Sequence, residues 1–466
     1  MPKSEVLWLL VSFAALLVLF WLYRRGVFSG PTIAKKARSF FGAHPASLPI
    51  ISRKFTRFDL PNIQLAIDGF AAETGSKVEV VGYSTGFSPL GKSLSEVVIG
   101  EGMFERSKFA PVCYKQVDIG PGETMNCVEN GLHFIAGKDR VLCHVRFNPM
   151  EKATEVEVMA RDPEVAQSFF DKLATILARE NVYQGKVLTV EGQVMEHMRG
   201  ECAVIRFHAP ARVEREDIIL PADTLDLIER NTVGFFRKAA VLKKAGRSAK
   251  RGILLYGKPG TGKTFTAKWL ATSMPGLTTI ILSAEQLYLI KDCCTLARML
   301  APSLVIMEDI DLVATHRDET TKHVSAQITL HQILNELDGM ADNTEVLFLM
   351  TTNRPQAIEP ALAGRPGRVD QAIEYPLPDA ECRRRLIEKY SAGVHTQIDD
   401  MEGLVARLEN ASPAFIQELM RKALLLASER EDELNVTSAD VDAALRELLF
   451  GGGELTRQLL GFTVAK

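Results

Sequence analysis

The chain has 466 residues, of which 46% are hydrophobic and 24% charged, and its formal net charge is −3. That length supports two or three domains with their own cores, and the composition is that of a globular protein, not a disordered or fibrous one. The slightly acidic balance provides no global attraction for nucleic acid, and seven cysteines without C-x-x-C spacing argue against a disulfide framework or a zinc site and for a reducing compartment.

Residues 1–25 read as a membrane anchor. From Val6 to Tyr23 the sequence is VLWLLVSFAALLVLFWLY, with Ser12 its only clearly polar side chain. At about 1.5 Å per residue such a run just crosses a hydrocarbon core of about 30 Å. Trp8, Trp21 and Tyr23 lie near its ends, where amphipathic rings favour the headgroup layer, and Arg24 and Arg25 follow at once. The charge order is opposite to that of a cleaved signal peptide. The positive-inside rule places the short N-terminus outside and the remainder on the cytoplasmic or matrix side. Residues 26–50, rich in Gly, Pro, Ser and basic side chains, read as a juxtamembrane linker, with Lys35, Lys36 and Arg38 available to anionic lipid.

Residues 51–220 read as an α+β middle domain. A helical pattern follows Asp59, and strand-like pieces follow it: KVEVVGY, SEVVIG, LHFIAG, RVLCHVRF and TEVEVMA. Asn130-Gly131 suits a tight hairpin turn. Asp162-Pro163 opens an amphipathic helix to about Arg179, and the strands KVLTVEG and AVIRFHA close the domain. No catalytic constellation stands out there. His133, His144, His197 and His208 are scattered and read as core or surface histidines.

Residues 221–379 alternate helical patterns with short apolar strands, RGILLYG, TTIILS, SLVIMED, EVLFLMTTN and QAIEYPL. This predicts an α/β unit, a parallel sheet covered by helices on both faces. Residues 380–450 are mostly helical and read as a lid, and residues 451–466 as a tail.

The chemistry sits at the ends of two of those strands. GKPGTGKT, Gly257–Thr264, lies between a strand and a helix and matches the phosphate-binding G-x-x-x-x-G-K-T pattern. Gly257, Gly260 and Gly262 let the backbone curl so that its N–H groups face phosphate, with Pro259, Thr261 and Phe265 beside them. Lys263 reaches the β/γ-phosphates of ATP and the Thr264 hydroxyl ligates Mg²⁺. The strand SLVIMEDIDL then delivers Glu308 and Asp309. Two buried carboxylates without a purpose would cost several kcal/mol. By position Glu308 serves the metal and Asp309 the attacking water, with Asp311 next to them.

These motifs, in this order, resemble the AAA family of ATPases over about half of the chain. The resemblance extends to HQILNELDGM (His331–Met340), to TTN ending at Asn353, and to RPGRVD (Arg365–Asp370). It implies that Asn353 senses the γ-phosphate and the attacking water, and that Arg365 and Arg368 act as arginine fingers on a neighbouring subunit's nucleotide. It therefore implies a homo-oligomeric ring of six or seven subunits working on a protein client, with no nucleic acid involved. The order Glu308-Asp309 reverses the family's usual acid pair. It resembles the membrane-anchored Rieske-protein translocase branch, as do Ser412-Pro413-Ala414 and the layout of anchor, middle domain and one ATPase domain. Between Ser283 and Glu308 the chain is short for the usual pore loop, and Tyr288 is its only aromatic residue, which favours folded or partly folded clients. PALAGRPGR carries one residue more than the common spacing. The expected activity is an ATP-driven machine that remodels or translocates proteins at a membrane. The alternative is a membrane scaffold that binds ATP with little turnover.

Overall fold

The computed structural model describes residues 32–84, 92–99, 107–148, 150–195, 200–312, 332–333, 335–339, 341–358, 369–429 and 435–451. The chain divides into two units, Met1–Val182 and Tyr183–Lys466. The apolar run Val6–Tyr23 and the arginines after it lie outside the described residues. Among the described residues no helix is long and apolar enough to cross a membrane.

The first unit begins in what the composition presents as a linker. Helix α1 (Ile33–Phe41) is capped by the Thr32 hydroxyl, which accepts from Lys35 N–H at 3.3 Å, and is closed by Gly42 in the left-handed region. Ile33, Ala37 and Phe41 recur every four residues on one face. They are buried against Val81, Leu132, Phe134 and Leu142. Lys36 pairs with Glu79. The linker expectation is thus corrected: residues 33–41 are part of a core, since their apolar stripe is buried whatever the flanking Gly and Pro suggest. Phe41→Ala is expected to cost about 3–5 kcal/mol, read as a shifted urea midpoint at unchanged slope; a linker would show no shift.

The rest of the unit is built from β1 (Ile50–Thr56), α2 (Leu60–Thr74), β2 (Lys77–Tyr83), α3 (Leu94–Val98), β3 (Phe109–Ala110), β4 (Cys113–Gly120), β5 (Glu123–Ala136), β6 (Arg140–Asn148), β7 (Ala153–Met159) and α4 (Pro163–Arg179). The sheet runs β1-β7-β6-β5-β2-β3, with β4 added to β5. Ile63 and Ile67 of α2 and Phe169, Phe170 and Leu173 of α4 fill one face together with Cys143, Val156 and Val158. Helices α1 and α3 pack on the other. Asn130-Gly131 makes no turn. It lies inside β5, beside an irregularity where Cys113 pairs with Asn130 but Tyr114 pairs with Val128. SEVVIG is likewise not a strand: Ser93 and Glu96 form a capping box that starts α3. Glu157 accepts the Leu94 N–H at 2.8 Å and fixes the start of that helix. The same carboxylate lies 3.0 Å from His144 Nδ1, and His144 Nε2 lies 2.7 Å from the Tyr83 hydroxyl. His144 is therefore a buried bridging group and His133 a buried core residue facing Cys143 on the neighbouring strand, while His208 bonds the Thr189 hydroxyl. His197 lies outside the described residues.

The second unit opens with a hairpin, β8 (Val187–Met195) and β9 (Gly200–His208). These are the strands expected to close the middle domain. Instead, β8 is parallel to β11 (Thr278–Leu282), through Val187↔Thr279 to Thr189↔Ile281. Alternation predicts that a segment is a strand but not which sheet it joins. After α5 (Ala222–Asn231) and α6 (Val233–Lys244) come β10 (Lys250–Gly257), α7 (Lys263–Ser273), β11, α8 (Ile290–Met299), β12 (Ser303–Met307), β13 (Val346–Thr352) and β14 (Gln371–Tyr375). The sheet order is β14-β10-β13-β12-β11-β8-β9, parallel throughout except for β9. β12 and β13 are buried along their full lengths, as strands covered on both faces must be. The lid comprises α9 (Ala380–Ser391), β15 (His395–Gln397), α10 (Met401–Arg407), α11 (Pro413–Ser428), β16 (Asn435–Thr437) and α12 (Ser438–Arg446), around a core that includes Leu386, Ile387, Phe415, Ile416 and Leu419.

Candidate nucleotide site

Parallel strands bring their C-terminal ends to one edge, and ligands gather there. At this edge β10 runs into Gly257–Thr264. Gly257 is required by packing: a Cβ there would stand 2.4 Å from the Tyr375 carbonyl oxygen of β14. Gly260 is required twice. Its φ is +74°, and a Cβ would meet Ala414 Cβ at 2.8 Å and Ser412 Oγ at 3.0 Å. The Gly260 carbonyl accepts the Ala414 N–H at 3.2 Å, so the start of α11 in the lid is seated on the loop. Thr261 is buried and donates to the Lys258 carbonyl at 2.9 Å. Helix α7 starts at Lys263, so the free N–H groups of its first turn face the loop.

Lys263 is 5% exposed, and its Nζ donates to the carbonyls of Gly257 at 2.8 Å and Lys258 at 2.9 Å. Burial lowers its pKa to about 8, against the opposing pull of Asp309 and Asp311. Among the described residues this cation has carbonyl partners and distant carboxylates but no close anion, the state a bound triphosphate would relieve. The sign of the pH effect follows. Nucleotide stabilises the protonated amine, so binding is strongest below about pH 8 and weakens as pH rises through that value. Titration calorimetry in buffers of different ionisation heat should show net proton uptake on binding near pH 8. Pure pH-independence of the affinity from 7 to 9.5 would contradict this.

Opposite the loop, β12 ends and delivers the acids. Burial raises the Glu308 pKa, against a hydrogen bond from Thr264. Burial and then the charge of Asp311 raise that of Asp309, against Lys263 and a hydrogen bond from Asn353. Asp309 has φ +50°, in the left-handed region. Its N–H is held by Thr351 Oγ1 at 3.0 Å, and its Oδ1 accepts Asn353 Nδ2 at 3.0 Å. Asp311 Oδ1 accepts from the Thr352 hydroxyl at 2.8 Å and the Asn353 N–H at 3.1 Å. The structure therefore brings Lys263, Thr264, Glu308, Asp309 and Asn353 together. Arg365 and Arg368 lie outside the described residues.

The donor set fits ATP with Mg²⁺. Thr264 and Glu308 offer hard oxygen donors, the Thr264 hydroxyl opposing the rise that burial imposes on the Glu308 carboxyl, and both acids are raised by burial, as carboxylates awaiting a cation are. A cavity of about 580 Å³ lies along the loop, and its lining includes Pro259–Thr266, Asp309 and Asn353 together with Ile218, Leu220, Leu386, Lys389 and Tyr390. Sequence reasoning missed the lining given by Ile218, Leu220, Leu386, Lys389 and Tyr390, and also the positioning hydroxyls of Thr351 and Thr352; only the threonine pair before Asn353 carried a signal. Tyr288 is 47% exposed in the short helical turn Ala284–Leu289.

Comparison with known proteins bears on the same region. Residues 253–377 match the family described as "ATPase family associated with various cellular activities (AAA)". The chain is 30% identical over 295 residues to the 26S proteasome regulatory subunit 4 homolog of Dictyostelium discoideum, covering 61% of this chain and 66% of that protein. It is 36% identical over 212 residues to the corresponding homolog of Oryza sativa subsp. japonica, covering 43% and 47%. It is 31% identical over 262 residues to ATP-dependent zinc metalloprotease FtsH 3 of Sphaerobacter thermophilus, covering 53% of each. The chain thus spans about half to two-thirds of the length of these relatives.

Proposed function

We propose, from the premise that this chain belongs to the AAA ATPase family, that it hydrolyses ATP with Mg²⁺ and uses the energy to remodel protein clients. One observation carries the reading: Glu308 and Asp309 follow one buried strand, Asp309 accepts a hydrogen bond from Asn353 at the end of the next, and Lys263, Asp309 and Asn353 line one cavity. Lys263 and the loop N–H groups bind the phosphates. Thr264 and Glu308 would hold the metal, which would supply charge neutralisation to the phosphates. Asp309 accepts a proton from the attacking water, and Asn353 keeps both the carboxylate and the water in place. The reversed acid pair leaves two carboxylates present, so turnover is favoured over the ATP-binding scaffold.

The relatives named for the proteasome and for a metalloprotease support protein remodelling as the class of work. The hydropathy of Val6–Tyr23 supports a single-pass anchor with the ATPase on the cytoplasmic or matrix side, and the Glu308-Asp309 order supports kinship with the Rieske-protein translocase branch. A homo-oligomeric ring with Arg365 or Arg368 reaching a neighbour's phosphate follows from the sequence motif alone. Electron microscopy of detergent-solubilised protein with a non-hydrolysable ATP analogue tests the assembly. A ring with an arginine at the neighbour's nucleotide is expected; a monomer under those conditions would rule the machine out.

A further inference from the structure

The segment Asp217–Leu220 lies between two cores. Ile218 and Leu220 are buried with Ile253, Leu255 and Ile373 of the large sheet, whereas Ile219 between them is buried with Leu386, Phe415 and Leu419 of the lid. Successive side chains of an extended segment point to opposite sides, so this strap is interleaved between the two subdomains. It also lines the cavity that the phosphate loop lines.

One charged side chain fastens it. Lys389, on α9 of the lid, donates from Nζ to the Asp217 carbonyl oxygen at 2.9 Å and to Asp217 Oδ1 at 2.6 Å. The same ammonium lies 5.3 Å from the centroid of the Phe265 ring, on the first turn of α7. Asp217 is itself fixed from the other side, where its Oδ2 accepts the Glu214 N–H at 3.1 Å. The ammonium therefore touches the strap, the lid and the helix that follows the phosphate loop. The lid is also seated on the phosphate loop itself, through Ala414 N–H and the Gly260 carbonyl.

We infer that Lys389 is a positioning residue for the nucleotide: its bonds to Asp217 lock the strap to the lid, and the cavity wall that strap and lid share is complete only while that lock is closed. A lid swung away on α9 would withdraw Leu386, Lys389 and Tyr390 together from the strap. Nucleotide affinity then depends on the lid's seat, and a bound base in turn holds the lid down, since the two are linked reciprocally. Lys389's donors are engaged by Asp217 and the Phe265 face, so its work is to hold the wall and not to read the base edge.

This inference rests on the ATP-binding reading above, and the test separates the two. Binding of a fluorescent ATP analogue is measured by titration for the full-length protein and for Lys389→Met, Lys389→Arg, Asp217→Asn and the Lys389→Met/Asp217→Asn pair. Hydrogen exchange is followed over residues 214–220 and α9. Loss of charged hydrogen bonds at the lock should weaken the Kd of Lys389→Met about tenfold. Its kcat/KM should fall by more than its kcat, and protection over the strap should be lost. Arginine should restore binding to within about threefold, because it keeps the charge and the donors. The double variant should bind no worse than Lys389→Met alone, as two partners of one contact do. A Lys389→Met protein with the wild-type Kd and intact strap protection, or full additivity of the two substitutions, would overturn the lock. A wild-type protein that fails to bind nucleotide would instead overturn the site itself.

Discussion

Asp309→Asn is expected to lower kcat for ATP hydrolysis by about 10²–10⁴-fold, the usual contribution of a positioned general base, while binding stays within a few-fold of wild type. The geometry makes this substitution informative. Asn353 Nδ2 donates to Asp309 Oδ1, and the Asp309 N–H is held by Thr351 Oγ1. An amide oxygen at position 309 can accept the first bond, and the second is made by the backbone. What is removed is the carboxylate's capacity to take a proton, together with one negative charge facing Lys263 and Asp311. Phosphate release under saturating ATP, paired with titration of a fluorescent analogue, separates chemistry from binding. A kcat within about threefold of wild type would remove Asp309 from the role assigned to it and leave the site without a base.

The second large effect belongs to Lys263→Ala. Its Nζ now holds the Gly257 and Lys258 carbonyls, and in the complex it would add charge-assisted bonds to phosphate. Hydrogen bonds to charged groups are each worth about 1.5–3 kcal/mol. Losing two of them weakens nucleotide binding by about 10²-fold or more. Turnover at accessible ATP concentrations should disappear. The substitution also strips two inward-facing carbonyls of their donor, so some loss of thermal stability is expected without nucleotide. Lys263→Met, which keeps most of the apolar stem, should recover part of that stability but none of the affinity. Recovery of affinity by methionine would show that the stem, and not the charge, does the binding.

The parts of this site legible in the sequence are those coded by contiguous residues. The phosphate loop needs glycine at fixed steps and a lysine at its end, so eight consecutive residues announce it. Glu308 and Asp309 were legible because an apolar run that ends in acids is costly unless the acids are used. Contacts between distant segments were not. Lys389 meets Asp217 across a separation of 172 residues, and no local pattern marks either as a partner. The hairpin Val187–His208 was legible as two strands, but its place on β11 is decided by a three-residue pairing. Helix α1 was hidden by its neighbours: Gly, Pro and basic residues around a short apolar stripe resemble a tether until a core is found beneath it. At Asn130-Gly131 a strong turn signal lost to strand pairing: Asn130 pairs with Cys113 and Gly131 with Val145, and the irregularity in the β4–β5 ladder falls at Glu129.

The twist of the main chain at position 309 also bears on why the acids stand in this order. A left-handed residue that is not glycine is best tolerated when its side chain is short and polar, which suits aspartate and asparagine more than glutamate. The longer arm then falls to position 308, on the side of the Thr264 hydroxyl. Transposing the two would ask the bulkier acid to occupy the unfavourable torsion. For this chain, the familiar arrangement would be the handicapped one.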